Sequence, residues 1–301
     1  MDPSTVAVIL NPASGAGKTL KLVPQVTRAL QQVGRPFNLH LTTRAGEAPE
    51  VARQFALDGA SVVIAIGGDG TINEVANGLL ASGCAVPLGL VASGHGSDFV
   101  RTAKIAKSVD EAIGRACNGQ VRRIDVGRAT FDDGTSRYFL NVAGLGFDAA
   151  VAQRVQKTRL PGSTLPYLMA LGGTLARYQN IRVSVEADGE LLANRAVFVT
   201  VANARYFGGG LMITPMAEID DGLLDLAVIG DMGKLELLKE VPGVYRGKHV
   251  DHPKFLHRRA KSIRIETVEP ARVQVDGELA GSAPVTFSVV PGALHLIGCT
   301  N

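Results

Sequence analysis

Through roughly the first 120 residues, short apolar runs alternate with longer segments of helical spacing. Val6–Leu10, Phe37–Leu41, Ser61–Ile66 and Pro87–Leu90 read as buried strands, while Lys21–Val33, Ala45–Leu57, Ile72–Ala81 and Ser108–Asn118 repeat apolar residues along one helix face. This βαβ alternation predicts a mostly parallel sheet covered on both faces, with ligands beyond the carboxyl ends of its strands. After Val121 the pattern turns to strands and turns: Arg123–Thr130, Arg137–Val142, Ile181–Ala187, Arg195–Asn203, Leu224–Ile229, Ser262–Thr267, Arg272–Val275 and Pro284–Val289. The alternation in Arg182-Val183-Ser184-Val185-Glu186 implies one buried sheet face. Helical insertions are expected at Ala149–Lys157, Leu165–Ala176 and Lys234–Tyr245. The expected fold is an α/β N-terminal domain with a parallel sheet, residues 1–121, and a mainly antiparallel β-rich C-terminal domain, residues 122–301, whose last residues return to the first domain.

Composition narrows the functional classes. The 301 residues are 46% hydrophobic and 20% charged with 35 glycines, which describes a globular chain with many close turns and excludes large-scale disorder. A net charge of +3 from dispersed basic residues argues against a nucleic-acid partner. Lys254, Arg258, Arg259 and Lys261 form the one local basic cluster, read either as a face for anionic lipid or as a solvated surface. Cys84, Cys117 and Cys299 have neither metal-ligand nor disulfide spacing, so a reducing, cytoplasmic compartment is expected. The start of the chain lacks the basic segment and apolar core of a signal peptide, and no stretch reaches the roughly 18 apolar residues of a membrane helix. A lipid substrate would then be met peripherally, at the inner face of the membrane.

The candidate chemistry concentrates at the predicted strand ends. Gly67-Gly68-Asp69-Gly70-Thr71-Ile72-Asn73-Glu74 joins a buried strand to a helix, a geometry that places backbone N–H groups around a nucleotide phosphate. Asp69 and Glu74 are suited to hold a metal or orient a ribose, and Thr71 and Asn73 to donate or to cap the helix. Asn11-Pro12-Ala13-Ser14-Gly15-Ala16-Gly17-Lys18 follows the first strand but is not a Walker A loop, because Pro12 stands where the opening glycine belongs. No Gly-x-Gly-x-x-Gly opens the first helix. A third turn, Gly89 to Phe99, carries His95 as a phosphate contact, a base or a lining residue. In the C-terminal half, Asp276-Gly277-Glu278 offers a carboxylate base and its partner, or an ordinary Asp-Gly hairpin. Asp220-Asp221-Gly222-Leu223-Leu224-Asp225 reads as a hard-cation site or a turn into a strand, and Asp125 lies near the domain boundary. Asn203 to Leu211, with three consecutive glycines, reads as a cleft-lining loop in which Arg205 contacts a charged group or stays at the surface.

In order, Asn11-Pro12-Ala13-Ser14-Gly15, Gly67 to Val75, the Gly94 turn with Asp98-Phe99, Asn141 to Asp148, Asn203 to Gly210, Asp221 to Asp225 and Asp276-Gly277-Glu278 resemble the diacylglycerol kinase catalytic-domain family, particularly its soluble bacterial lipid kinases. The resemblance covers essentially the whole chain and implies the two-domain fold shared by lipid kinases and NAD kinases. It implies ATP and Mg2+ as cofactors, with Asn11, Pro12, Ala13, Ser14, Gly15, Thr43, Gly68, Asp69, Gly70, Thr71, Ile72, Asn73, Glu74 and His95 at the nucleotide. It makes Asp276 the general base with Glu278 in support, and puts Asp69 and Asp125 in the catalytic magnesium network. A separate structural cation would take oxygens of Glu218, Asp221 and Leu223, and nucleotide and lipid would meet in a cleft between the domains. At the third turn the family's usual Pro-x-Gly-Thr-x-Asn-Asp-Phe is replaced by Ala92-Ser93-Gly94-His95-Gly96-Ser97-Asp98-Phe99, which removes two polar contacts and keeps the turn glycine. The implied reaction is phosphorylation of a lipid hydroxyl, diacylglycerol first. NAD kinase is the enzymatic alternative, a noncatalytic nucleotide or lipid sensor the alternative of another class, and a homodimer is compatible with an exposed strand edge.

Overall fold

A computed structural model describes residues 2, 4–93, 97–147, 149–150 and 180–299, with the backbone alone at 193 and 194. The expected helices at Ala149–Lys157 and Leu165–Ala176 lie outside the described residues, apart from 149 and 150. The chain forms two compact units, Met1–Ile124 with Gly292–Asn301, and Asp125–Pro291.

In the first unit β1 (Val6–Leu10), β2 (Phe37–Leu41), β3 (Val62–Gly67) and β4 (Leu88–Ala92) are parallel in the order β2-β1-β3-β4, and the end of the last strand, β18 (Val285–Ile297), pairs in parallel with β4. Every residue of β1 and β3 is buried, as their unbroken apolar sequences require of strands covered on both faces. The helices pack in pairs, α1 (Val23–Val33) with α5 (Val109–Asn118) and α2 (Ala48–Leu57) with α3 (Asp69–Ser82). α1 carries a proline in its first turn and ends on Gly34 at φ 76°, a left-handed stop that glycine adopts without strain. Two starts differ from the sequence expectation. α2 begins at Ala48 rather than Ala45, because the Glu47 carboxylate accepts the amides of Thr43 and Arg44 and shapes those residues into a turn. α3 begins at Asp69 rather than Ile72, because Gly67 and extended Gly68 already complete the turn.

The second unit holds an antiparallel sheet in the order β14 (Phe255–Ala260), β13 (Leu224–Ile229), β10 (Phe198–Ala202), β7 (Val142–Gly146), β16 (Arg272–Val275), β17 (Glu278–Ser282). The first half of β18 pairs antiparallel with β15 (Ser262–Thr267), which pairs with β8 (Ile181–Ala187) and through it β9 (Glu190–Ala196), while β5 (Val121–Phe131) pairs with β6 (Ser136–Phe139). One core joins the two sets of strands, with Leu145, Val199, Val201 and Leu226 meeting Val183, Val185, Ile263 and Phe287. In β8 the valines at 183 and 185 are buried and Ser184 and Glu186 exposed, as the alternation predicts. Phe139 packs edge-on to Phe287 at 6.1 Å, and Gly127 makes room for it, since a Cβ there would lie 2.0 Å from the Phe139 ring. The single strand expected at Arg137–Val142 is two strands, broken at Leu140 and Asn141, whose amides point at the Asp276 carboxylate instead of a neighbouring strand.

Candidate active site

In the order β2-β1-β3 the chain leaves β1 toward β2 on one side and β3 toward β4 on the other, so the connections that follow these two paired strands part and leave a crevice beyond their carboxyl ends. Both glycine-rich turns sit at that point, and side chains tie them together. The Asn11 amide donates to Ile66 O at 3.0 Å, Asn11 Nδ2 donates to Thr71 Oγ1 at 3.0 Å, and Ser14 Oγ lies 3.3 Å from the same hydroxyl. Asn11 Oδ1 accepts the Ala13 amide, which folds Pro12 and Ala13 into a turn. Gly15, Ala16 and Gly17 all have left-handed φ, between 56° and 81°, so the backbone curls tightly before Lys18. Gly67, the last residue of β3, is required by contact: a Cβ there would lie 2.6 Å from Thr71 Oγ1. Thr19 Oγ1 joins the third turn to the first through Ser93 Oγ at 2.6 Å and Ser14 O at 2.9 Å. Thr19 and Ser93 belong to this network and were not singled out by sequence; only their place in glycine-rich turns hints at it.

The fourteen-residue α3 starts at this crevice and turns the positive end of its dipole and its first-turn amides toward it. Asp69 caps another helix: its Oδ2 accepts the Asp98 amide at 3.0 Å and its Oδ1 the Phe99 amide at 3.1 Å, at the start of α4 (Asp98–Thr102). Gly70 is exposed, Ile72 and Asn73 are buried, and Glu74 is half-buried on the following turn. Thr43 stands on the β2 to α2 turn, its amide and hydroxyl both donating to Glu47 Oε2 at 2.6 and 2.9 Å. The Thr43 amide, then the His40 ring and the Thr43 hydroxyl, hold the Glu47 carboxyl down at about 2. His95 lies outside the described residues. Ser97, the other departure from the family pattern, heads α4, with a buried hydroxyl that has no hydrogen-bond partner among the described residues.

The second unit gathers Asp125, Asp276 and two asparagines. Asp276 and Gly277, at φ 47° and 84°, form the two-residue turn between β16 and β17, so the Asp-Gly hairpin exists as a backbone feature. The Asp276 carboxylate is drawn back into the unit: Oδ1 accepts the amides of Asn141 and Val142 at 2.9 and 3.0 Å, and Oδ2 that of Leu140 at 2.9 Å. Asn203 Nδ2 donates to Leu140 O and Asp125 O, both at 3.1 Å, which links the Asp276 anchor to buried Asp125. Asn141 and Asn203, missed as individual site residues, supply this link. Their Oδ1 atoms are buried with no hydrogen-bond partner among the described residues. Glu278 pairs with Arg137 at 2.6 Å at the surface.

Asp125 reaches the loop proposed for a cation, its amide donating to Ile219 O at 2.6 Å and its Oδ2 accepting the Gly222 amide at 2.7 Å. In that loop Asp221 Oδ1 accepts the Leu223 amide, and Arg259 stands 3.5 Å from Oδ2. Burial raises the Asp221 carboxyl above the usual carboxylate value, with the nearby charges of Asp225 and Glu218 adding to it. Glu218 is exposed and Leu223 half-buried. Among the described residues no three histidine, cysteine, aspartate or glutamate side chains converge as a metal cluster. The basic cluster read from sequence is internally neutralised in part, Lys254 by Glu236 at 2.8 Å and Arg259 by Asp221 and Asp225. Arg205 donates to the Ala217 carbonyl at 2.8 Å.

Comparison with known proteins agrees with this layout. Residues 5–129 match the diacylglycerol kinase catalytic domain, and residues 141–298 the YegS C-terminal NAD kinase beta sandwich-like domain. The chain is 29% identical over 292 residues to a diacylglycerol kinase of Bacillus subtilis, covering 96% of this chain and 95% of that protein. It is 30% identical over 295 residues to a diacylglycerol kinase of Mycobacterium tuberculosis, covering 97% and 94%. A solved diacylglycerol kinase of Bacillus anthracis superposes with a TM-score of 0.76 at 25% identity, covering 98% of this chain and 97% of that one. The chain belongs to the diacylglycerol kinase catalytic-domain family, a family of ATP-dependent lipid kinases.

Proposed function

We propose that this chain transfers the γ-phosphoryl group of ATP to a lipid hydroxyl, with diacylglycerol as the acceptor. The observation that carries the reading is the crevice between β1 and β3, where two glycine-rich turns and the amino end of α3 are locked together by Asn11, Ser14 and Thr71. Backbone N–H groups of such turns neutralise phosphate charge without needing side-chain cations. Asn11 to Gly15 and Gly68 to Glu74 would bind the nucleotide there, with Thr43 shaping the neighbouring turn and His95 on the third.

Phosphoryl transfer is largely a matter of positioning and electrostatics. Asp276 is the proposed base: three backbone amides fix the direction of its two oxygens, and the acceptor hydroxyl would give up its proton to this carboxylate as its oxygen bonds to phosphorus and ADP leaves. Glu278, steadied by Arg137, would support the acceptor side. Mg2+, when bound, gathers phosphate oxygens and offsets their charge. Within the second unit the oxygen donors suit such an ion, being the carboxylate of Asp125 and the buried carboxamide oxygens of Asn141 and Asn203, which have no hydrogen-bond partner among the described residues; within the first unit the donor the family resemblance names is the Asp69 carboxylate. A second cation would lie on oxygens of Glu218, Asp221 and Leu223, where a positive charge would relieve the crowded acids of the loop.

The test is Mg-dependent transfer of labelled γ-phosphate to a mixed-micelle panel of lipid alcohols, with NAD and lipid-free controls and products identified by mass. Phosphorylated diacylglycerol is the expected product. Phosphorylation of NAD without lipid would replace the proposal by a NAD kinase, and saturable ATP binding with no phosphorylated acceptor would replace it by a sensor.

A further inference from the structure

The helix α6 (Lys234–Val244) of the second unit carries apolar residues on two faces, one packed on the core and one turned outward. Leu237 and Val244 pack inward on the cluster formed by Phe198, Ala227 and Ile229. Leu235, Leu238 and Tyr245 face outward, 77%, 48% and 51% exposed. At 100° per residue they share an arc of about 140° with Lys234 and Lys239, and Arg246 follows at the end of the helix. No acid falls in that arc. The acids of the helix, Glu236 and Glu240, lie outside it, and Glu236 is taken up by the Gly233 amide and Lys254.

We propose that this face of α6 is the surface by which the protein docks on an anionic membrane. Large apolar residues interleaved with cations on one helix face are what an interfacial helix requires, the leucines and the tyrosine entering the headgroup boundary while the cations meet anionic lipid. Among the described residues no helix is long and apolar enough to cross a membrane, so contact through such a face is the matching mode. Charge decides against a second copy as the occupant. A two-fold interface is self-complementary, and pairing this face with itself would set Lys239 and Arg246 against the same cations on a face whose arc holds no acid. The sequence cluster at Lys254 and Arg259 is the weaker candidate, since both residues are engaged by acids of their own unit. The proposal rests on α6 alone and stands apart from the phosphotransfer reading.

The chain contains no tryptophan, so Leu238→Trp introduces a single reporter that keeps the apolar character of the face. Its emission should shift to the blue on vesicles of phosphatidylcholine with phosphatidylglycerol, less so on phosphatidylcholine alone, and the shift should weaken as salt is raised. The double variant Leu235→Gln with Leu238→Gln should bind the anionic vesicles at least about tenfold more weakly, because it removes two apolar groups from the boundary. Its melting curve should match that of the parent, and it should still phosphorylate detergent-dispersed lipid. Vesicle binding equal to the parent in the double variant, or tryptophan emission unchanged on fully bound protein, overturns the proposal. Conversion of a dimer to a monomer by the double variant, with vesicle binding unchanged, assigns the face to a second copy instead. A catalytically silent protein whose vesicle binding still depends on the two leucines retires the kinase reading and leaves the docking surface in place.

Discussion

At the scale of single residues, the polar side chains of the candidate site work first as architecture. Asp276 illustrates this, because the three amides that aim its carboxylate also hold Leu140, Asn141 and Val142 in place. Asp276→Asn puts a donating NH2 group against amide donors, so we expect lipid phosphorylation to fall by roughly a hundredfold or more and stability to fall by about 1.5–3 kcal/mol. Steady-state kinetics and thermal melts of the variant test both parts, and a variant with parental turnover removes the base assignment. Glu47 gives a pH signature. Its carboxyl is held at about 2 against an ordinary 4.5, so its stabilising contribution is complete above pH 4.5 and is lost as pH falls toward 2. Acid titration of stability should show a shallower decline in Glu47→Gln over that window, and an unchanged slope would mean that the Thr43 turn does not depend on the charge.

At the scale of elements, glycine and turn residues decide where helices and strands begin and how closely they approach. Gly78 of α3 faces α2 so closely that a Cβ would lie 2.2 Å from Pro49 O and 2.9 Å from Ala52 Cβ. Gly78→Ala gains helix propensity yet must push the two helices apart, and we expect a net loss of about 1–3 kcal/mol, measurable by denaturant unfolding. No loss of stability would show that the helix pair yields freely. Asp69 couples two elements by capping α4 from the start of α3. Asp69→Ala should expose the α4 amides to faster hydrogen exchange and abolish phosphotransfer together, whereas Asp69→Asn should retain more of the protection, since its carbonyl oxygen still accepts a bond. Identical exchange in parent and Asp69→Ala would separate the cap from the chemistry.

At the scale of the whole chain, charge in the second unit predicts a linkage between pH and divalent cations. Asp221 has its carboxyl raised by burial, then by Asp225 and Glu218, so the folded protein favours the protonated form. The contribution to stability is therefore full at a pH below the ordinary 3.8 and declines as pH rises through the raised value, when a buried negative charge must be held. A bound cation would offset that decline. Mg2+ should raise the melting midpoint of the parent near neutral pH and have a smaller effect at acid pH, and Asp221→Asn should lose the difference; equal Mg2+ effects in parent and variant at both pH values would remove Asp221 from the cation site.

The sequence by itself determined the parallel and antiparallel halves, because continuous apolar runs demand two covered faces and strict alternation demands one. It also located the glycine turns, since turn chemistry is local, and several strands, among them Val6–Leu10, Ile181–Ala187 and Leu224–Ile229, have the bounds their periodicity predicts. β14 was not legible, because Phe255-Leu256-His257-Arg258-Arg259-Ala260 reads as a basic patch until pairing with β13 sets Arg259 opposite Asp225. Tertiary structure alone decided which polar groups meet. Thr71 with Asn11, Asp69 with Asp98 and Phe99, and Asp276 with Leu140 to Val142 are separated by 60, about 30 and about 135 positions, beyond the reach of any local pattern. It also decided that the outer face of α6 is apolar, since a helical repeat shows two faces and only packing reveals which one is left to the solvent.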